Sequence, residues 1–254
     1  MPDPHRSHLP PEIRDHIVDL LNHSPETLKQ CCLVSKSWVP RARKHLFATV
    51  YFATKGNVEG WKKTFPDSAR SPARYTRNLR VHCVSAITTE DAREGGWLRS
   101  FSHVVRLELF YINGMFSSQN AISLAPFHKI SPSVRSLHVT GYLLLPLQIF
   151  RLVQSLPLLE NVKTYGHHAD GWCLLPVFPT SPIFTGTLEL ELVRGIFPLA
   201  LGLLDMPNGL HFRKLILSCH ESEDFSSVGR LVAACSDTLK CLEFKYCPPR
   251  AIVL

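Results

Sequence analysis

A short segment of alternating apolar residues recurs from about residue 76, and no other feature constrains the fold as strongly. Successive segments are 28, 30, 25, 28, 25 and 27 residues apart. Because alternation puts every second side chain on one face of a strand, each segment predicts one strand with one apolar face. A single strand cannot bury that face, so neighbours must stack into a parallel sheet. The seven segments are Leu79-Arg80-Val81, Leu107-Glu108-Leu109, Leu137-His138-Val139, Val162-Lys163-Thr164, Leu190-Glu191-Leu192, Leu215-Ile216-Leu217 and Leu242-Glu243-Phe244.

Most of these segments carry a further apolar residue three positions earlier, at Val104, Val134, Leu159, Phe212 and Leu239. This spacing resembles the strand signature of leucine-rich repeats, whose period is roughly 20–29 residues. Residues 149–157 and 228–235 have the apolar spacing of helices, as connections between such strands often do. The resemblance implies an irregular leucine-rich-repeat solenoid over residues 76–254, with about seven repeats.

The alternation also predicts which side chains point away from the apolar face. Aromatic anchors amid polar neighbours are typical of binding centres, so we expect Phe110 and Tyr165 to hold a protein substrate, with Lys163 and Glu108 selecting charge. A merely solvated sheet face is the alternative. The predicted outward residues are Arg80, His82, Glu108, Phe110, His138, Thr140, Lys163, Tyr165, Glu191, Val193, Ile216, Ser218, Glu243 and Lys245.

The first fifty residues predict three short helices. Pro11 and Pro25 suit first helical turns, and Pro40 must kink or restart the third helix. Ile13, Ile17, Leu20 and Leu21 form an apolar stripe on the first helix, and Leu28, Cys31 and Cys32 face inward from the second. A bundle of about 40 residues is too small to be comfortably stable alone, so we expect a partner surface.

Three segments of this region together resemble the F-box family: LPPEIRDHIVDLL, TLKQCCLVSKSW and RARKHLF. The resemblance implies a three-helix F-box over residues 9–50 that docks on the Skp-type linker protein of a cullin scaffold. Some of the matching residues would be core and some linker contacts, and the sequence cannot separate them. The residues that match the family's apolar pattern are Leu9, Pro10, Ile13, Ile17, Leu20, Leu28, Leu33, Val34 and Trp38.

Taken together, the two resemblances imply an α/β protein that is the substrate-recognition adaptor of an SCF-type ubiquitin ligase, acting in ubiquitin-dependent protein degradation. The F-box would bind the linker protein, and the repeats would bind an unknown target protein. Two alternatives remain open. One is an F-box scaffold or a diverged, non-degradative copy. The other is a leucine-rich-repeat protein-binding module whose N-terminal helices only cap the solenoid.

No local signature of enzyme chemistry occurs in the sequence. It contains no Gly-rich phosphate loop, no Gly-x-Ser-x-Gly elbow and no His-Glu-x-x-His segment. Cys235, Cys241 and Cys247 are spaced too widely for a zinc site, whose paired ligands lie closer together. We therefore expect no catalytic residue, no metal and no cofactor, because an adaptor acts by raising the local concentration of its target.

Charge and hydropathy restrict the partners and the location. The net charge of +7 comes entirely from residues 1–80, which contain 14 Lys and Arg against 7 Asp and Glu. The nearest approach to a nucleic-acid motif, from Arg70 to Arg80, interleaves only one aromatic residue, so we expect a solvated basic segment and no nucleic-acid partner. No signal peptide or membrane span is evident, and we expect a cytoplasmic or nuclear protein.

The remaining segments complete the predicted organisation. Residues 1–8 read as a flexible tail and residues 51–75 as a linker. After the last strand only an apolar tail from Cys247 to Leu254 follows, whereas solenoids normally close with a polar cap. We expect either a truncated product or a last repeat that frays or associates, with residues 239–254 exchanging hydrogen faster than residues 134–165.

Overall fold

The protein is described here by a computed structural model. The structure describes residues 9–82, 84–88, 90–93, 96–111, 124–130, 132–144, 146–168, 185–194, 203–204, 211–219 and 224–246. The predicted tail at residues 1–8 and the residues after 246 lie outside this part of the chain.

Three short helices open the described chain: α1 (Pro11–Leu20), α2 (Pro25–Val34) and α3 (Val39–Leu46). Each has a proline in its first turn, where the missing N–H has no intrahelical partner to lose. Pro40 therefore lies at the start of α3 and does not interrupt it. The three predicted helices are present, and we refer to residues 9–48 as the helical unit.

The helical unit has a small core of its own. Its fully buried members are Val18 of α1, Leu28 and Cys31 of α2, and Ala42 of α3. The apolar stripe predicted on α1 is divided between core and solvent: Leu21 packs against this core, whereas Ile13 and Leu20 face solvent. Val18, which lies outside the predicted stripe and one turn before Leu21, is fully buried.

A single sheet of eight parallel strands follows, and its strands lie in chain order from β1 to β8. The protein is therefore an α/β protein, as predicted. The strands are β1 (Thr49–Phe52), β2 (Asn78–Val81), β3 (Arg106–Tyr111), β4 (Ser136–Leu144), β5 (Asn161–His168), β6 (Thr187–Arg194), β7 (Lys214–Cys219) and β8 (Cys241–Tyr246).

Helices connect several of these strands. The longer ones are α4 (Lys55–Thr64), α5 (Pro146–Gln154) and α6 (Asp224–Ala234), and the last two coincide with the connections predicted from helical spacing. Single turns of 3₁₀ helix serve the N-terminal connections. They span Pro72–Tyr75, Val84–Ala86, Glu90–Ala92, Trp97–Ser100 and Ala125–Lys129.

One hydrogen-bond pattern recurs where the strands begin. The carbonyl of Ala48 accepts from two consecutive N–H groups of the next strand, those of Arg77 (2.8 Å) and Asn78 (2.9 Å). The carbonyls of Arg77, Val105, Arg135 and Arg213 each accept two such bonds in the same way. Five of the seven strands from β2 to β8 therefore begin with the same backbone geometry.

The core of the sheet lies on one face. Each strand from β1 to β7 directs two residues into it, such as Leu79 and Val81 of β2, and almost all of them are apolar and buried. The helices and 3₁₀ turns of the connections supply the other side, for example through Phe127 and Leu152. On the last strand the corresponding side chains, Leu242 and Phe244, are 47% and 42% exposed.

Two predicted assignments change. The segment predicted as a linker, residues 51–75, contains the end of β1, the whole of α4 and a 3₁₀ turn, so the sheet begins one strand earlier than predicted. In β6 the predicted register is wrong by two residues, because Val162 pairs with Leu188 and not with Leu190. A shift of two residues keeps the same side chains on the same face.

No helix in the described part of the chain is long and apolar enough to cross a lipid bilayer.

Candidate functional site

The helical unit exposes five large apolar side chains. Leu33 is 86% exposed, Val34 is 69% exposed and Leu20 is 68% exposed. Leu9 and Ile13 are about half exposed, and Pro10 beside Leu9 also faces solvent. Single exposed apolar residues are common on proteins, and here five large ones lie within 26 residues. We call Leu9, Ile13, Leu20, Leu33 and Val34 the apolar helix surface.

The structure divides the nine residues of the predicted linker-binding set into core and exposed positions. Leu28 is a core residue, 1% exposed, and Trp38 packs against the same core. Ile17 is half-buried. The other six residues of the predicted linker-binding set, the apolar helix surface and Pro10, are accessible to a partner.

Polar contacts fix α1 against α3. Arg41 donates two hydrogen bonds to the Asp19 carboxylate, one of them 2.6 Å long from Nε, and His45 Nε2 lies 2.7 Å from Asp19 Oδ1. These hydrogen bonds, first that of Arg41 and then that of His45, hold the pKa of Asp19 well below its ordinary value. The ion pair therefore orients α1 without using any residue of the apolar helix surface.

An aromatic cluster joins the helical unit to the sheet. Phe47, just after α3, packs edge-on against Trp61 of α4 with ring centroids 6.1 Å apart, and Phe52 of β1 packs against the same indole at 5.6 Å. Phe52 also meets Trp97 at 5.5 Å, in the connection between β2 and β3. Such edge-to-face pairs are favourable aromatic geometries, so the end of α3 is packed into the first repeats.

The face of the sheet opposite the core carries the polar and aromatic side chains, and we call it the open face. Alternation and register arrange its residues in rows that cross the strands. The middle row is Tyr51, Arg80, Glu108, His138, Lys163, Glu189, Ile216 and Glu243.

The open face of β1 to β4 carries four rings in contact with one another, Tyr51, His82, Phe110 and His138, which we call the ring row. Their successive centroid distances are 4.7, 4.1 and 5.6 Å. Tyr51 Oη and His82 Nδ1 are also hydrogen-bonded at 2.8 Å. Burial, and secondarily Arg80, lowers the pKa of His82, while burial, and secondarily Lys163, lowers that of His138. Both imidazoles are therefore neutral at pH 7.

Two arginines beside the ring row share one carboxylate. Arg80 Nε lies 2.6 Å from one oxygen of Glu108, and Arg106 Nε lies 2.6 Å from the other. The Glu108 side chain is 5% exposed, whereas Arg80 and Arg106 are about half exposed. Burial alone would raise the pKa of Glu108, but the hydrogen bond from Arg80 and the charge of Arg106 outweigh it and lower the pKa. The group therefore has one positive charge in excess.

The open face of β5 to β8 has a different character. Lys163 Nζ lies 2.8 Å from Glu189, and Lys214 is paired with Glu243. Lys245 lies 4.0 Å from the same oxygen of Glu189. The three lysines here each lie close to a glutamate of another strand, and two of them share Glu189.

The four predicted substrate contacts lie on the open face, as the alternation predicts, but in different environments. Tyr165 is 38% exposed, and Phe110 is half-buried between the two imidazoles. Glu108 and Lys163 are already engaged in ion pairs. Tyr51 was missed because its strand was taken for linker. The signal was present in the alternating run Thr49–Phe52, one repeat length before β2.

Comparisons with protein-family models, curated proteins and solved structures found no match. Among the described residues, no group of three or more His, Cys, Asp or Glu side chains is placed to hold a metal ion. The two surfaces are therefore interpreted from their own chemistry.

Proposed function

We propose that this protein is the substrate-recognition adaptor of a cullin-based ubiquitin ligase. In this proposal the helical unit is an F-box that binds a Skp-type linker protein, and the sheet binds the target. The observation that carries the proposal is the apolar helix surface. Its members occupy positions of the F-box-like pattern, and the small core of the helical unit does not use them.

The exposed apolar area of the helical unit favours binding of a partner. Each large apolar side chain that moves from water into an interface contributes about 1.5–3 kcal/mol. A helical unit whose own core consists of four fully buried residues leaves this contribution to a partner. A nucleic acid or a lipid headgroup would require charge at this surface, whereas a protein groove takes aliphatic side chains directly.

We further infer that the sheet belongs to an irregular leucine-rich-repeat array. Paired core residues of adjacent strands are 25 to 30 residues apart, and each interval contributes one strand to the sheet. The doubly accepting carbonyl before several of the strands supports the same interpretation, because it repeats with the chain. Repeat arrays use such extended sheets as binding surfaces, which favours a protein target on the open face.

Titration with a purified Skp-type linker protein tests the proposal. Leu33→Ala combined with Val34→Ala should weaken binding by about 2 kcal/mol or more. Leu158→Ala is the control, because this leucine is also exposed, at 49%, but lies outside the helical unit. Binding that is absent, or that is unchanged in the double variant, would contradict the F-box assignment.

A second experiment separates a ligase adaptor from a scaffold or a diverged, non-degradative binding module. Proximity labelling in cells with and without proteasome inhibition should reveal proteins that accumulate only when degradation is blocked. A chain that binds the linker protein but labels no such protein would favour the scaffold.

A further inference from the structure

The two halves of the open face arrange their charges differently, and the arrangement in the N-terminal half indicates what it binds. In β5 to β8, Lys163, Lys214 and Lys245 each lie within 4.0 Å of a glutamate of another strand, Glu189 or Glu243. In β2 and β3, Arg80 and Arg106 converge on Glu108 alone. One guanidinium balances the charge of the buried carboxylate. The two arginines and the carboxylate together therefore carry one net positive charge.

The geometry of the arginines leaves donors for a ligand. Both contact Glu108 through Nε, and a guanidinium has four further N–H groups in the same plane. Within the described part of the chain, neither arginine has another carboxylate partner. With side chains about half exposed, their remaining N–H groups can reach an incoming anion.

The ring row lies next to this charge. Phe110 and Glu108 are alternate residues of β3 on the same face, so their Cα atoms are separated by roughly 6.6 Å. An extended peptide has the same rise over two residues. A carboxylate at one position and an apolar side chain two positions away therefore match the spacing between the arginines and the rings.

We infer that the open face of β1 to β4 binds an acidic, extended segment of the target protein. One Asp or Glu carboxylate of that segment pairs with Arg80 and Arg106, and an aromatic or aliphatic side chain two residues away packs on His82 and Phe110. This inference rests on the proposed function only in assigning the open face to the target.

A single-stranded nucleic acid fits these observations less well. It needs a track of several positive charges and aromatic faces on which bases can stack. Here one positive charge is in excess, and neighbouring rings are inclined by 82°, 52° and 65°. The rings therefore form a ridged apolar surface and not a series of parallel platforms.

The test uses the full chain and a fluorescein-labelled synthetic peptide with Glu, Phe and Glu at alternate positions in a Ser-Gly background. Fluorescence polarisation at near-physiological salt should show binding of this peptide and none of the same peptide with Gln for Glu. Arg106→Gln removes the excess charge but leaves Glu108 paired with Arg80, so the variant should fold and bind the probe about tenfold more weakly. Arg106→Lys should restore part of that loss.

Lys214→Gln is the matched control. Lys214 occupies the same cross-strand row as Arg106, and its substitution removes the same charge from the ion-paired half. Phe110→Ala should weaken binding of the probe by a factor similar to that of Arg106→Gln, whereas Lys214→Gln should leave the affinity for the probe unchanged.

Four results would overturn the inference: no binding of the acidic peptide, equal binding of the Gln peptide, equal loss in Lys214→Gln and Arg106→Gln, or binding of a single-stranded RNA in place of the peptide. Linker-protein binding, measured on the same preparations, keeps the two proposals apart. If the unsubstituted protein binds the linker protein but not the probe, the acidic-segment site alone is refuted. Probe binding without linker binding supports the site and refutes the adaptor.

Discussion

The helical unit and the sheet treat their large apolar residues in opposite ways. Leu107 of β3 is 0% exposed, whereas Leu33 of α2 is 86% exposed. In the sheet, the described core-facing apolar residues of β1 to β7 are explained by folding, because they are buried. In the helical unit five large apolar residues stay outside the core, and the proposed function assigns them to binding.

The size of each core explains this difference. The core beneath β1 to β7 buries their core-facing apolar residues, but three helices of eight to ten residues enclose only a few side chains. The contacts of Phe47 with Trp61 and Phe65 join the helical unit to the larger core. The helical unit can therefore remain folded while its outer apolar residues stay available.

The largest expected effect comes from making the same substitution in both regions. Leu107→Ala should lower the free energy of unfolding by about 3–4 kcal/mol, because it removes buried methyl groups and leaves a cavity. Leu33→Ala should change it by less than about 0.5 kcal/mol. Urea unfolding of both variants measures the contrast. Comparable losses would mean that Leu33 is covered in solution and that the two regions do not differ.

Two glycines allow a comparison between a closely packed and an open backbone position. A Cβ atom at Gly186, just before β6, would lie 1.6 Å from the carbonyl oxygen of Glu160, so Gly186→Ala must displace the backbone. At Gly60, in the exposed α4, a Cβ atom would meet nothing within 4 Å. We expect Gly186→Ala to lower the free energy of unfolding by about 2 kcal/mol and Gly60→Ala to raise it by about 0.5–1 kcal/mol.

Thermal melting of these two alanine variants measures both changes in stability. A neutral Gly186→Ala would show that the β5–β6 spacing is looser than the backbone contact indicates.

The strands that the sequence predicts best are those with the strictest alternation. Leu79-Arg80-Val81 and Leu107-Glu108-Leu109 have one register that buries the apolar residues of both strands, and the structure has that register. In β6 the run of Leu188, Leu190 and Leu192 allows two registers that bury the same face, and sequence alone cannot choose between them. The choice depends on pairing with β5.

For the candidate sites, the sequence could predict only towards which face of the sheet a single residue points. Alternation correctly assigned Glu108 and Phe110 to the open face, but it could not reveal that two arginines from different strands share one carboxylate. That arrangement depends on register and side-chain rotamers. In the helical unit, periodicity likewise could not show that Val18, and not Ile13, faces the core, because two adjacent stripes of α1 are both apolar.

Acid titration should sharpen the comparison, because each region has one aspartate with a lowered pKa. The Asp91 side chain is 9% exposed and accepts from Lys62 at 2.6 Å. Burial would raise its pKa, but the hydrogen bonds from Lys62 and Thr88 outweigh burial and bring it below the ordinary 3.8. Asp19 of the helical unit is 36% exposed, and solvent screens its ion pairs.

A lowered pKa means that the ionised form contributes stability above the ordinary pKa and that this contribution is lost as the pH falls below it. Asp91→Asn should therefore cost about 1–2 kcal/mol at pH 6 and less at pH 3. Asp19→Asn should show the same sign with a smaller loss at pH 6. Chemical denaturation at the two pH values measures both, and a loss for Asp91→Asn that grows towards acid would contradict the assignment.

The smallest expected effect concerns a polar residue at a core-facing position of β5. Thr164 is 1% exposed, and its Oγ1 atom has no hydrogen-bond partner among the described residues. A buried hydroxyl without a partner has lost its hydration, so Thr164→Val, which keeps the shape of the side chain, should raise the free energy of unfolding by about 1 kcal/mol. Thr140→Val is the control, because Thr140 lies on the open face with Oγ1 3.0 Å from His138 Nε2 and gains nothing from losing that contact. If both valine variants were equally destabilised, the Thr164 hydroxyl would have a partner in solution, and the core face of the sheet would be less uniformly apolar than its contrast with the helical unit requires.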